Sequence, residues 1–266
     1  MGALTDFLVR WDPPEVMRQS GMAPDPWQAR LLSQQPHRAL VVTSRQAGKS
    51  VTSAALALHR ALSARRQVIV AIAPSQRQSS LLVSKVRSLA EHLGLGLLRN
   101  AVMSIQLDNE SIVHGLPGSS DTVRGYSPNL LIIDEAAYTD DALYTASLPM
   151  LAATQGHLIA ISTPNGQQGW FWHEWAGQGA GGWTRIEVPY TDISRITSEF
   201  IAGQKASMSR ERFSAEYECA FNATTHSLFP GADIASTTQD SPVGADLAMP
   251  GREVLARRRS RQEASA

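Results

Sequence analysis

Short apolar runs alternate along this chain with longer stretches of helical composition. Residues 39–43 (ALVVT), 67–73 (QVIVAIA), 129–137 (NLLIIDEAA) and 157–162 (HLIAIS) read as strands, and their apolar cores leave no wet face. Runs of that kind belong to parallel sheets covered on both sides by helices. Ahead of the first of them, residues 24–33 read as a short helix with Pro26 in its first turn. Residues 50–64 are rich in alanine and leucine and free of Gly and Pro, as a helix buried against a sheet would be. A further helix spans 75–93 and stops at Gly94, and another spans about 139–152. Residues 101–116 read as a hairpin turning at Asp108 and Asn109. The alternation predicts an α/β fold with a mostly parallel sheet.

The second half is less regular. Residues 183–190 read as a strand and 198–221 as one or two helices, whereas the text beyond 224 is rich in Ser, Thr, Gly, Pro and Ala and ends in REVLARRRSRQEASA. The chain therefore divides into a lead-in (1–23), a principal domain (24–223) and a junction with a poorly ordered basic tail (224–266). With 266 residues, 43% of them hydrophobic, it can bury a substantial core. Lys plus Arg total 24 and Asp plus Glu total 24, so composition gives no argument for nucleic acid and any DNA contact must use local patches. Cys219 is the single cysteine, which excludes an internal disulfide and a cysteine-built zinc site. No apolar run approaches the roughly 20 residues of a membrane span, and the N-terminus lacks the pattern of a secretory leader. A cytoplasmic setting is the expectation.

Three strand ends carry candidate chemistry. The first is 44-SRQAGKS-50, placed between a buried strand and a helix, where helix-start N–H groups can hold phosphate. In that reading Lys49 reaches the β- and γ-phosphates and the Ser50 hydroxyl ligates Mg²⁺. The position that usually carries the first glycine of such a loop is Thr43, and an exposed lysine in an ordinary turn is the alternative. The second is Asp134-Glu135, delivered to the carboxyl edge of the sheet, where α/β proteins place their ligands. Asp134 would hold the metal and Glu135 would act as general base on water. An acidic pair after a strand can also simply cap the next helix. The third is 159-IAISTPNG-166, whose Ser162 and Thr163 can sense the γ-phosphate or can form a plain Ser/Thr turn.

In this order the motifs resemble the ATPase part of the large terminase subunit of tailed bacteriophages. The resemblance runs from about Pro24 to Phe229. "SRQAGKS" is similar to the terminase phosphate loop, in which the early glycine is often absent, "LLIIDEAAY" to its acidic strand, "ISTPNG" to its coupling motif and "GWFWHEW" to the aromatic segment that follows. "PDPWQARLL" resembles the upstream adenine-contacting motif, which carries over to Gln28 with Trp27 as a packing neighbour. The family implies a RecA-like P-loop NTPase fold of the additional-strand type. It implies a nucleotide site formed by Gln28, Ser44, Arg45, Gln46, Ala47, Gly48, Lys49 and Ser50, metal ligands Ser50 and Asp134, and coupling residues Ser162 and Thr163. Arg45 would reach the γ-phosphate in cis, and Arg124 would serve as an arginine finger toward a neighbouring subunit; either can instead be a surface or ion-paired residue.

The implied function is ATP hydrolysis with Mg²⁺, driving double-stranded DNA into a procapsid in the host bacterial cytoplasm. The implied partners are a homo-oligomeric ring on the portal protein and a small terminase subunit, with no membrane. Helicase-like ATPases share the phosphate loop and the acidic strand, and a catalytically idle prophage remnant is the reading from another class. The aromatic cluster Trp170, Phe171, Trp172 and Trp175 reads as core rather than as a base-stacking platform, because residues spaced like 171, 172 and 175 make one face of a short helix. Arg257, Arg258, Arg259 and Arg261 read as a solvated basic end.

Large terminase subunits usually continue into a two-metal nuclease. Here residues 242–251 faintly resemble its first strand, with Asp246 in place of its first carboxylate, and the likeness then ends. One carboxylate cannot organise two metals, so no DNA cutting is expected of this chain alone. A truncated or frame-shifted reading frame, or a separate nuclease chain, is the expectation that follows.

Overall fold

The computed structural model describes residues 9, 11–119, 123–177 and 181–223. Eight strands form one sheet in the order β3-β4-β5-β2-β6-β7-β1-β8. They are β1 (Arg38–Thr43), β2 (Val68–Ala73), β3 (Leu97–Ala101), β4 (Ser104–Leu107), β5 (Ile112–Pro117), β6 (Leu130–Asp134), β7 (His157–Ser162) and β8 (Thr184–Val188). All neighbours pair parallel except β3 with β4 and β4 with β5. The helices are α1 (Glu15–Arg18), α2 (Pro26–Gln34), α3 (Lys49–Ser63), α4 (Gln76–His92), α5 (Asp141–Ser147), α6 (Gly169–Ala176), α7 (Ser198–Ser207) and α8 (Arg210–Tyr217).

The uniformly apolar strands are explained by burial on both faces. Alternate residues of one strand enter different cores: Ala39 and Val41 of β1, with Leu130 and Ile132 of β6, pack with α2, α3 and α4 on one side. Leu40 and Val42, with Leu131 and Ile133, pack with α5 and α6 on the other. Each such side chain is removed from water, a gain of about 1.5–3 kcal/mol per large aliphatic residue. Val16 and Met17, in the stretch expected to be a lead-in, are also buried in the first core. Strand β7 stands between β6 and β1, the inserted strand expected of the additional-strand type.

Several expected elements differ in detail. The hairpin over 101–116 is β4–β5, turning through residues 108–111, but β3 adds a further antiparallel strand that the pattern did not announce. Residues 98–101 of β3 are exposed, so strand pairing rather than core burial places it there. The helix expected over 139–152 is α5 followed by a 3₁₀ turn, Leu148–Leu151. Pro149 has no N–H to continue the α-helical ladder, and the chain tightens at that point. The 198–221 stretch divides into α7 and α8, which enclose a small core of Ile201, Phe213 and Tyr217. Expectations for residues 224–266, including Asp246 and the basic tail, lie outside the described residues.

Register brings three strand ends to one edge. Val42 is level with Ser162, Asp134 with Ile161, and Thr43 with Val188. The loop after β1, the acidic pair after β6 and the Ser-Thr pair after β7 therefore converge.

Candidate active site

The loop between β1 and α3 turns on two left-handed residues, Gln46 (φ 61°) and Gly48 (φ 90°). At Gly48 a side chain is excluded twice. Its φ disfavours L-residues, and a Cβ there would lie 2.7 Å from Gln28 Nε2 and 3.1 Å from Arg195 Nη2. The chain enters the loop through Ser44, whose N–H donates to Val188 O at 2.8 Å, and through Arg45, whose N–H donates to Glu216 O at 2.6 Å. Lys49 then opens α3, so the helix start and its positive dipole end face the loop.

Lys49 is only 8% exposed, and its Nζ lies 3.5 Å from Glu135 Oε1. Glu135 follows β6 in a left-handed conformation (φ 52°, ψ 46°), uncommon for a non-glycine residue, and this turn aims its carboxylate at the loop. Ser162 Oγ sits between the two strand ends. It accepts from Ala137 N at 3.2 Å and donates to Glu135 Oε2 at 3.4 Å. Asn165 Nδ2 donates to Ala137 O at 3.1 Å, so the segment after β7 grips the turn that carries Glu135. Two adjoining clefts of about 350 and 400 Å³ share Arg45, Lys49 and Glu135; Thr163, Tyr138 and Gln78 line one, Ser50 and Lys85 the other.

Asp134 is the buried member of the acidic pair. Its Oδ1 has no hydrogen-bond partner, and burial, helped by Glu135, pushes its pKa up to about 6 against the pull of Lys49 and Lys85. A buried carboxylate oxygen without a partner is costly, and a cation beside it would offset that cost. The hydroxyl of Ser50 and the carboxylate of Asp134 are hard oxygen donors suited to Mg²⁺. Among the described residues no group of three or more His, Cys, Asp or Glu could hold a metal. Such an ion would therefore need phosphate and water oxygens to complete its shell, the usual habit of Mg²⁺ at nucleotides.

The remaining expected residues fall in several places. Ser44 and Ala47 are buried at the loop base, and Ser44 Oγ has no partner. Arg45 is exposed at the cleft mouth, with Nη1 3.5 Å from Glu216 Oε1. Gln28 is 2% exposed: its Oε1 accepts from Asp25 N and its Nε2 donates to Thr52 Oγ1, each at 2.8 Å. These bonds use one of the amide's two N–H donors and one of its two oxygen lone pairs, so one donor and one acceptor site remain. Arg124 is not brought to the clefts; it lines a separate groove of about 390 Å³ with Tyr126, Ala146, Pro149 and Met150. Trp170 and Phe171 are buried at 4% and 1%, while Trp172 and Trp175 pack around Phe221, which fits the core reading of that cluster.

Arg195, Glu216, Thr52 and Lys85 also stand at or beside the loop and the clefts, without a motif in the sequence that marks them. None belongs to a contiguous motif with the loop, and only Thr52, one turn into α3, sits near enough in sequence to be suspected.

Comparison with known proteins follows the same lines. The family described as "Terminase large subunit, T4likevirus-type, N-terminal" matches residues 40–236. The large terminase subunit of Escherichia phage T5 is 27% identical over 227 residues, covering 80% of this chain and 51% of that protein. The chain thus spans about half the length of the curated relative it matches. Among solved structures, the Thermus phage P74-26 large terminase ATPase domain superposes with a TM-score of 0.68 at 18% identity, covering 77% of this chain and 96% of that one. The large terminase of the thermophilic bacteriophage D6E, solved in complex with ADP, gives a TM-score of 0.66 at 10% identity, covering 75% and 54%. These likenesses show the fold, the RecA-like P-loop fold of terminase ATPase domains.

Proposed function

The chain belongs to the phage large terminase subunits, and from that premise we propose that it hydrolyses ATP with Mg²⁺ and couples the cycle to movement of double-stranded DNA. Membership supports a DNA-packaging motor. The observation that carries the reading is the convergence of Lys49 and Glu135 across a cleft, beside a buried Asp134 whose Oδ1 has no hydrogen-bond partner.

In this reading the loop N–H groups and Lys49 hold the β- and γ-phosphates. Ser50 and Asp134 would hold Mg²⁺, which when bound withdraws charge from the phosphate oxygens. Glu135 takes a proton from water as the water oxygen attaches to the γ-phosphorus; the bond from that phosphorus to the bridging oxygen breaks, and ADP leaves with its electron pair. Phosphate competes with Glu135 for Lys49, and as the lysine's hold weakens the carboxylate is freer to act as a base. Ser162 and Asn165 tie Glu135 and its turn to the end of β7, a path by which Ser162 and Thr163 can transmit the state of the γ-phosphate. Arg45, at the cleft mouth, is the candidate γ-phosphate arginine in cis, and Arg124, exposed on a separate groove, the candidate for a neighbouring subunit's site. Gln28 is assigned to the nucleotide's base.

The wider role proposed is translocation into a procapsid in the host cytoplasm, by a ring of subunits on the portal with a small terminase subunit as partner. Among the described residues no helix is long and apolar enough to cross a membrane. The test is ATP turnover by the purified chain with Mg²⁺, with and without double-stranded DNA, across protein concentration. Turnover that rises steeply with concentration is expected if Arg124 acts between subunits. Absence of both turnover and ATP binding under all these conditions would refute the ATPase reading; binding without turnover would favour the idle alternative.

A further inference from the structure

Arg195 lines neither cleft, yet its guanidinium closes the phosphate loop from behind. Buried Ile193 and half-buried Ile196 flank it, and the Ile196 N–H donates to Ile193 O at 3.1 Å, so the turn that presents Arg195 is pinned to the core. From there Nη2 donates to the carbonyl of Gln46 at 3.1 Å, and Nη1 donates to Asp25 Oδ2. Asp25 is the buried N-cap of α2, locked in a reciprocal capping box with Gln28. Gln28 Nε2 in turn donates to Thr52 Oγ1, which donates to the carbonyl of Gly48 at 3.0 Å.

The bonds form a closed circuit around the loop. It runs from the Gln46 carbonyl through Arg195, Asp25, Gln28 and Thr52 to the Gly48 carbonyl. A trans peptide sends its C=O and N–H in opposite directions. Holding the Gln46 carbonyl outward therefore turns the next N–H, that of Ala47, into the loop, where its bond to Ser44 O is long at 3.4 Å. Phosphate binding depends on such inward N–H groups. Gln46 sits at φ 61°, a conformation that needs outside support, and the charged bond from Arg195 supplies it.

We propose that Arg195 is a positioning residue for nucleotide phosphate: it fixes the orientation of the Gln46–Ala47 peptide and so preorganises the loop. This rests on the ATPase reading of the same site. Arg195 touches neither phosphate nor water in this account; it acts through the backbone.

The test is equilibrium binding of Mg-ATP and of Mg-pyrophosphate to wild type, Arg195→Gln and Arg195→Lys. Circular dichroism and thermal melting serve as folding checks. Arg195→Gln is expected to weaken both ligands by roughly tenfold, the scale of one charge-assisted hydrogen bond. Arg195→Lys keeps the charge without the forked geometry and is expected to fall between, at about threefold. At saturating ATP, kcat should stay within about twofold of wild type while KM rises, since binding and not chemistry is disturbed. If Arg195→Gln proves unfolded, Arg195→Lys alone decides the matter through the same two ligands. Folded variants with wild-type affinity for pyrophosphate overturn the proposal, and weaker ATP binding with unchanged pyrophosphate binding overturns it in favour of a contact with the base. A wild-type protein that binds neither ligand overturns the ATPase reading itself and this inference with it.

Discussion

Lys49 Nζ lies 3.5 Å from Glu135 Oε1, so the residue assigned to phosphate and the residue assigned to water neutralise each other directly. The pair is partly screened, with Glu135 27% exposed on its side chain, and phosphate competes for the lysine. Removing the carboxylate should therefore separate binding from chemistry. Glu135→Ala is expected to lower kcat by about 10²–10⁴-fold, the usual worth of a general base, while ATP affinity is kept or improved because Lys49 is released. Steady-state turnover together with equilibrium binding checks both halves. Unchanged turnover in a folded variant would show that the base lies elsewhere.

Asp134 gives the site a pH signature. Its pKa is pushed up from 3.8 to about 6, chiefly by burial, so the folded state binds a proton more tightly than the unfolded chain does. The fold consequently has its full share of stability from this group below about pH 4 and loses it as pH rises through about 6. The loss amounts to roughly 3 kcal/mol once the carboxylate is ionised. Asp134→Asn should raise the melting temperature at pH 8 and leave it nearly unchanged at pH 4. The same variant should lose Mg²⁺-dependent ATP binding, and in wild type that binding should strengthen as pH rises through about 6. A melting temperature at pH 8 that falls on substitution would contradict the reading of Asp134 as a carboxylate whose charge is disfavoured by burial.

What could be read from the text was whatever is contiguous in it. Strands β1, β2, β6 and β7 announce themselves as apolar runs because both faces of each are buried, and the loop, the acidic pair and the Ser-Thr pair each occupy one strand end. Their meeting at one edge depends on the parallel order β6-β7-β1, which strand–helix alternation implies. Strand β3 was not legible, because its residues are mostly exposed and carry no alternation to mark a face. Arg195 was not legible for a different reason. It lies 170 positions from Asp25 and 149 from Gln46, and nothing around it in sequence resembles a ligand motif. Contacts of that range come from tertiary packing, which local periodicity does not encode.

Gly48 is expected to tolerate no side chain. At φ 90° an alanine is strained, and its Cβ would press on Gln28 Nε2 and on Arg195, both members of the circuit that shapes the loop. Gly48→Ala should weaken ATP binding by at least tenfold, with a stability cost of roughly 1–3 kcal/mol, the range for a residue forced into a sparsely populated conformation. Calorimetric titration with Mg-ATP and thermal melting measure the two effects. A variant that binds ATP as wild type does would mean that the loop relaxes freely, and that the geometry described here is not what selects phosphate.

Trp170 anchors the opposite face of the sheet. Its ring stacks on Tyr144 with centroids 4.1 Å apart and planes within 5°, and its indole N–H donates to Thr139 Oγ1 at 3.1 Å. Its backbone N–H donates to Asp141 Oδ1 at 2.7 Å, so one residue ties α5, α6 and the turn after Glu135 together. Trp170→Ala should cost about 3–5 kcal/mol of stability, the range for truncating a buried large aromatic residue. Trp170→Phe retains a ring for stacking but loses the indole donor, and should cost about 1 kcal/mol plus whatever the smaller ring leaves unfilled. Denaturant unfolding of the two variants checks the order. If Trp170→Ala is as stable as wild type yet loses DNA binding, the cluster is a nucleic-acid platform after all, and its burial in the core is not its purpose.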